Sequence, residues 1–347
     1  MEIPMDNPAV FSSPHLHKSV SVSQIMRQVL YALVPGIMLS AWFFGIGVLV
    51  QCLLAILFAL ATECLMLYLR GKPLKLYLLD GSAVVTAVLF AITISPYTSF
   101  WVNLLGISFA IIIVKHFFGG LGYNIFNPAM AGYVFVLLCF PAEISAWPHV
   151  QGSGEASAGL VDTLSIIFSG HLSVSNFDSL SGATALDFMQ SQISGMVMVG
   201  EARTSPLFGT LAGKGSEWIA VAWLAGGLWL LYKEIIKWQM PCTFLSSLFL
   251  SSLLFYGYDA DIYLSPVFTL FAGGSMLAAF FIVTDPVTAS TTPRGRVVYA
   301  CGIGILTYLI RTWGSYPDGV AFAVLLLNAA VPLIDSCTRP RIFGEKI

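Results

Sequence analysis

The sequence predicts an all-α polytopic membrane protein with about ten transmembrane helices. Of its 347 residues, 57% are hydrophobic and only 10% are charged, whereas soluble domains carry about 25% charged residues. No charged residue lies between Arg27 and Glu63. Because one spanning helix needs about 20 apolar residues, this run holds two helices with a turn near Gly45–Gly47. The composition excludes an ordinary soluble enzyme and a disordered tail, and a net charge of −2 gives no basic surface for nucleic acid.

The apolar runs define ten candidate spans in two groups of five. They are expected at residues 30–46, 48–69, 81–95, 100–118, 129–143, 218–232, 240–256, 266–283, 297–310 and 319–334. The chain then divides into an N-terminal segment (1–28), a first five-helix repeat (29–143), a polar segment (144–217), a second five-helix repeat (218–334) and a C-terminal tail (335–347). The polar segment is too polar to span and too long for a tight connection, so we expect it to form a layer outside the membrane.

The distribution of lysine and arginine predicts the orientation. If the N-terminus is cytoplasmic, 13 of the 16 basic residues lie at the cytoplasmic side, and only Arg203, Lys214 and Arg311 lie on the other side. An excess of basic residues marks the cytoplasmic loops of membrane proteins. Both termini should therefore be cytoplasmic, and residues 144–217 should face the periplasm or exterior.

A weak internal repeat relates the two groups of spans. The stretches Gly81–Pro96 and Gly274–Pro286 both begin with Gly-Ser and end with an apolar run and a proline, which terminates a helix. They lie five spans apart, an odd number, so the two copies would have opposite orientations. Paired, interrupted helices in inverted repeats point to a binding site or pathway. The alternative is a chance similarity of glycine and apolar composition.

One motif in the polar segment presents a hydroxyl. Residues 178–184 read Asp-Ser-Leu-Ser-Gly-Ala-Thr, and the glycine permits close approach of the backbone. No His or Lys adjoins Thr184 to make it a catalytic nucleophile. On chemistry alone, the motif is a solvated turn.

The pattern Asp-x-x-Ser-Gly-Ala-Thr nevertheless resembles the signature at which a flavin transferase attaches FMN, through its phosphate, to a threonine hydroxyl. The resemblance implies that Thr184 carries FMN and that Asp178, Ser181, Gly182 and Ala183 belong to the recognised signature. An accessible hydroxyl is needed for the phosphoester, and the small Gly182 and Ala183 would leave room for the modifying enzyme. The polar segment 144–217 would then be a periplasmic, FMN-bearing segment.

Two further stretches carry the same resemblance: Lys115–Ala129, and Thr284–Thr288 followed by Pro332–Asp335. Over residues 25–345 the chain is similar to the membrane flavoprotein subunits of two redox-driven ion pumps, the Rnf electron transport complex and the Na⁺-translocating NADH:quinone reductase. Only 28 residues precede the first span, which favours the Rnf member because the reductase member carries a longer N-terminal extension. Gly213–Trp218 departs from the family pattern, and we assign it no role.

The resemblance implies an enzyme subunit that carries electrons through covalent FMN and couples ferredoxin or NAD(H) redox chemistry to Na⁺ or H⁺ translocation. Its partners would be the other subunits of the Rnf complex, the flavin transferase and the lipid bilayer of a bacterial inner membrane. Nicotinamide and iron–sulfur sites would lie on other subunits, since the chain has neither a Gly-x-Gly-x-x-Gly motif after a strand nor cluster-type cysteine spacing. The alternatives are the B subunit of the reductase and a non-redox channel or transporter with inverted repeats.

The resemblance also implies a second flavin, riboflavin, held without a covalent bond near Asn124 and Asn127. Amide side chains suit a flavin ring because its edge offers both donors and acceptors. The alternative for Asn127 is that it caps the fifth span ahead of Pro128.

Charged residues within spans are costly and are therefore functional candidates. Glu63 either lines an ion path or lies near the inner interface. Asp285, at an interrupted helix, either helps to bind a cation or hydrogen-bonds exposed backbone. Lys115 is expected to extend its ammonium group to the inner surface.

Overall fold

The computed structural model describes residues 21–151, 158–170, 180–316 and 318–339. Asp178 of the Asp-x-x-Ser-Gly-Ala-Thr motif lies outside these residues, as do residues 1–20 of the N-terminal segment and residues 340–347 of the tail. Most of the described chain is helical, in agreement with the predicted fold class.

The first half of the described chain is a series of helices. They are α1 (Val22–Phe44), α2 (Gly47–Leu69), α3 (Leu74–Leu78), α4 (Ser82–Ala91), α5 (Phe100–Ser108), which continues as a π-helical segment (Phe109–His116), and α6 (Pro128–Cys139). The first helix begins at a capping box in which Ser21 and Gln24 each bond the other's backbone. It ends at Gly45, whose φ of 88° favours glycine. The predicted turn between the first two long helices is therefore confirmed.

The polar segment contains short elements. They are α7 (Pro141–Ser145), β1 (Trp147–Pro148), α8 (Leu160–Ser169), β2 (Ser181–Gly182), α9 (Ala185–Ser194) and α10 (Val199–Ala202). The two strands pair antiparallel, with Trp147 opposite Gly182. The apolar face of α9 packs on the second half of the chain, because Leu186 and Met189 share a small core with Phe268.

The second half is again helical. Its elements are α11 (Ser216–Tyr232), α12 (Gln239–Tyr258), α13 (Pro266–Phe271), α14 (Ser275–Leu277), which continues as a π-helical segment (Ala278–Ile282), α15 (Pro293–Trp313) and α16 (Val320–Thr338). Helix α11 packs closely against α1, and this contact requires glycine at position 226. A Cβ there would lie 2.1 Å from the carbonyl oxygen of Ala32. A Cβ at Gly227 would lie equally close to the Phe280 ring.

Within the described ranges, four helices are long and apolar enough to cross a membrane: Val22–Phe44, Gly47–Leu69, Gln239–Tyr258 and Val320–Thr338. Helices also lie at the other predicted positions, but they are shorter, interrupted or less apolar. This is the architecture of a multi-pass membrane protein. The count of ten spans and the inverted repeat stay predictions.

Two short, buried helical stretches occupy the centre of the molecule. Ser82–Ala91 and Ser275–Ile282 are almost entirely buried. One cavity is lined by the residues just after Ala91 and just before Ser275. A second cavity is lined by Ser82 and by the residues just after Ile282. The predicted helix interruptions therefore lie where the two cavities form.

Candidate functional site

The larger cavity, which we call the Thr184 cavity, has a volume of about 440 Å³. Both halves of the chain and the polar segment contribute to its walls, through Phe44, Tyr133, Trp147, Lys214, Gly274 and Asp318. Ligand sites of this kind are mostly apolar clefts of roughly 300–1,000 Å³ with a few polar groups. The cavity thus has the size and the aromatic walls that a flavin ring needs.

Thr184 is held on the wall of this cavity by its place at the start of α9. It is the N-cap residue, and its Oγ1 accepts a hydrogen bond of 3.2 Å from the backbone N of Asp187. The same hydroxyl donates to Asp187 Oδ2 over 2.6 Å. The helix is anchored to the second half of the chain because Gln190 Nε2 donates to the carbonyl oxygen of Gly314 over 2.9 Å. The capping contacts and this long-range hydrogen bond together hold the hydroxyl in place.

The other described residues of the motif surround Thr184. Ser181 and Gly182 form β2, and Ala183 is exposed. A Cβ at Gly182 would lie 2.6 Å from the ring of His149. The His149 ring therefore lies close to Gly182, and the room that Gly182 and Ala183 would leave for a modifying enzyme stays a prediction. Ala183, next to the hydroxyl, is exposed on the protein surface.

Most of the titratable side chains around Thr184 come from distant parts of the sequence. Lys214 and His149 line the cavity together with Asp187 and Asp318. Burial raises the pKa of Asp187, and the charge of Asp318 acts in the same direction, although hydrogen bonds from Thr184 oppose the shift. Asp187 could have been suspected from the Thr-x-x-Asp spacing of a capping box. Lys214, in the stretch to which we assigned no role, gives no such signal.

The smaller cavity, which we call the Asn127 cavity, has a volume of about 120 Å³. Its walls include Lys115, Asn124, Asn127, Phe280, Thr284 and Asp285. As it stands, this cavity is smaller than a typical ligand site and would admit only part of a flavin ring. The sequence-predicted asparagines therefore share one site, and it is separate from the site of Thr184.

The two asparagines differ in their bonding. Asn127 caps α6, because its Oδ1 accepts from the Met130 backbone N over 3.2 Å, and this confirms the capping interpretation. Asn124 Nδ2 donates to the carbonyl oxygen of Phe126 over 3.1 Å, but its buried Oδ1 has no hydrogen-bond partner among the described residues. A buried acceptor without a hydrogen-bond partner lowers the stability of the fold. A ligand that donates a hydrogen bond to this oxygen would therefore bind more favourably.

Asp285 binds nearby backbone and side-chain donors. Its Oδ1 accepts from Val287 N over 3.2 Å, and its Oδ2 accepts from Thr288 Oγ1 over 2.8 Å. Asn127 Nδ2 lies 3.4 Å from the same Oδ2. The hydrogen-bonding alternative for Asp285 is therefore realised. Among the described residues, no group of three or more His, Cys, Asp or Glu side chains is placed to hold a metal ion.

Glu63 belongs to a buried ionic cluster. Its Oε1 lies 2.9 Å from Lys115 Nζ, and its Oε2 lies 3.1 Å from His116 Nε2. Lys115 Nζ also donates to Ser82 Oγ over 2.9 Å. Lys115 is only 2% exposed, so the expectation that it extends to the inner surface is wrong. The lysine instead neutralises a carboxylate contributed by α2.

Comparisons with known proteins identify the family. The model of the NQR2, RnfD, RnfE family matches residues 9–344. The chain is 44% identical over 345 residues to the D subunit of the ion-translocating oxidoreductase complex of Aliivibrio salmonicida, covering 97% of this chain and 98% of the relative. It is 45% identical over 346 residues to the D subunit from Escherichia fergusonii, with coverage of 97% and 98%. The D subunit from Aeromonas hydrophila is 44% identical over 346 residues, with coverage of 97% and 99%.

Proposed function

Because the chain belongs to the NQR2, RnfD, RnfE family, we propose that it is the membrane flavoprotein subunit of an Rnf-type electron transport complex. Its relatives, named as the D subunit of an ion-translocating oxidoreductase complex, support this assignment over the B subunit of the Na⁺-translocating NADH:quinone reductase. The protein would work with the other subunits in a bacterial inner membrane, with both termini cytoplasmic and segment 144–217 periplasmic. Exposed apolar side chains on the long helices, such as Trp42 and Leu333, support contact with lipid.

Covalent FMN on Thr184 is the proposed electron carrier. The observation that carries this proposal is the Thr184 hydroxyl on the wall of a cavity of about 440 Å³. A bound flavin supplies both one-electron and two-electron transfer. Lys214 would balance the charge of the phosphodiester, and the aromatic walls would exclude water from the ring.

The link from redox chemistry to ion movement would run through Asp318. Arg311 Nη2 lies 3.0 Å from Asp318 Oδ1, and Asp318 Oδ2 accepts from the backbone N of Gly274 over 2.7 Å. Gly274 lies at the break between α13 and α14. Because Asp318 also lines the Thr184 cavity, a change of charge there would favour one arrangement of the broken helix, and the affinity for Na⁺ or H⁺ would follow.

Flavin fluorescence on a denaturing gel tests the proposal. Protein produced together with its flavin transferase should give an ultraviolet-fluorescent band, because a phosphoester survives denaturation. The same protein produced without the transferase should give a dark band. A dark band in both cases would favour the alternative of a channel or transporter without redox function. Identification of the co-purifying subunits would separate the Rnf complex from the quinone reductase.

Riboflavin, with one edge of its ring in the Asn127 cavity, is the proposed second carrier. The support is Asn124 Oδ1, which has no hydrogen-bond partner among the described residues. We expect Asn124→Leu to weaken riboflavin binding by about tenfold or more, because it removes the acceptor offered to the ring edge. The measurement is the riboflavin content of the purified complex after extraction. Tyr123→Phe is the matched control, since Tyr123 is adjacent but 74% exposed. Equal riboflavin content in Asn124→Leu and in the control would contradict this placement.

A further inference from the structure

The first turn of α9 places a carboxylate against the hydroxyl of Thr184. Thr184 Oγ1 donates to Asp187 Oδ2 over 2.6 Å, and Asp187 N donates back to Thr184 Oγ1 over 3.2 Å. Among the described contacts, the Asp187 carboxylate is the group that accepts a hydrogen bond from this hydroxyl. A group in that position can take up the proton when the hydroxyl oxygen forms a new bond.

We propose that Asp187 is the proton acceptor for flavin attachment to Thr184, a role that rests on the proposed function. In this step, Thr184 Oγ attacks the flavin-side phosphorus of a flavin pyrophosphate such as FAD. The Oγ–P bond forms while the bond from that phosphorus to the bridging oxygen breaks, and AMP leaves with the bonding electron pair. The hydroxyl proton passes to Asp187 Oδ2, and no group is oxidised or reduced.

The environment of the Asp187 carboxyl is suited to a general base. The carboxyl is half-buried, and burial raises its pKa while the nearby charge of Asp318 adds to the shift. A general base is most effective when its pKa approaches the working pH. The exposed Ala183 next to Thr184 leaves the hydroxyl approachable for a modifying enzyme.

Other titratable groups face the same space. They are Tyr133 from α6, His149 after β1, Lys214 before α11, and Tyr316 and Asp318 before α16. Asp318 is already engaged by Arg311, whose Nη2 lies 3.0 Å away. These groups and the transferase also change the labelling rate with pH. The test therefore compares the wild type with Asp187→Asn at each pH.

The contacts of Asp187 also stabilise the helix end, so a purely structural role has to be separated from proton transfer. Asp187 Oδ2 accepts from the backbone N of Thr184 over 3.2 Å, which completes a capping box. An asparagine at this position keeps an acceptor for the backbone N–H and for the hydroxyl, but it cannot take a proton at neutral pH. Asp187→Asn therefore preserves the cap and removes the base.

The experiment measures the initial rate of covalent labelling of the full-length protein, purified without flavin, by the transferase and FAD. We expect Asp187→Asn to lower the rate by about a hundredfold near neutral pH, within the range for a positioned general base. The ratio of the wild-type rate to the variant rate should fall toward one as the pH is lowered through the pKa of Asp187. Asp162→Asn is the matched control, because Asp162 Oδ2 makes the equivalent contact with Gly159 N at the start of α8. Its rate should equal that of the wild type.

Three outcomes would overturn the inference. The first is an equal rate for the wild type and Asp187→Asn. The second is a rate ratio that does not change with pH, since a lost cap would slow labelling equally at every pH. The third is wild-type protein that takes up no flavin at all, which would overturn the proposed function as well. Thermal unfolding of each variant checks that the cap is kept.

Discussion

Thr184→Val is expected to abolish covalent flavin attachment and electron transfer through the protein, while the chain still folds. Valine has nearly the shape of threonine but no hydroxyl, so the phosphoester has no oxygen to form on. The loss of the cap hydrogen bond from Asp187 N costs about 1 kcal/mol, which is too little to unfold the protein. The measurements are gel fluorescence and the rate of electron transfer through the purified complex.

Thr184→Ser is the control, because serine keeps both the hydroxyl and the capping hydrogen bond. We expect it to retain fluorescence and electron transfer. Fluorescence that survives Thr184→Val would show that the attachment site is elsewhere. Full coupling of ion transport to electron transfer in that variant would contradict a role of the flavin in driving ion movement.

Lys115→Met is expected to destabilise the protein by about 3–5 kcal/mol, because it leaves the buried carboxylate of Glu63 without its cation. Lys115 Nζ lies 2.9 Å from Glu63 Oε1, and the two side chains are 3% and 2% exposed. The measurement is the thermal unfolding midpoint of the detergent-solubilised protein. Lys75→Met, at an exposed lysine, should leave the midpoint unchanged.

A second substitution tests the cause of that loss. Glu63→Gln in the Lys115→Met background removes the uncompensated charge, so we expect the double variant to recover much of the stability. An unfolding midpoint for Lys115→Met equal to that of the wild type would contradict the buried ion pair. A double variant less stable than Lys115→Met alone would show that the glutamate stabilises the protein in another way.

Local sequence features predict local structure well in this protein. The uncharged run before Glu63 predicts two long helices, and the structure forms them as Val22–Phe44 and Gly47–Leu69. Asn127 ahead of a proline predicts a helix cap, and its Oδ1 makes the capping hydrogen bond. Both features are set by residues that are close together in the chain. Hydrophobic periodicity and capping patterns can therefore be recognised from the sequence.

Contacts between distant residues could not be predicted from one sequence. Glu63 and Lys115 lie 52 positions apart, and nothing in either helix indicates that they pair. Lys214 and Thr184 meet at one cavity only because α9 packs on the second half of the chain. The motif predicts which hydroxyl would carry the flavin, whereas the charged side chains around it depend on the tertiary fold.

Peptide mass spectrometry of the matured protein shows whether Thr184 carries FMN. The wild-type protein, matured with its flavin transferase and digested, should yield a peptide containing Thr184 with the added mass of FMN as a phosphoester. Fragmentation should assign that mass to Thr184. An unmodified Thr184 peptide, or an FMN mass assigned to another residue, would contradict the account.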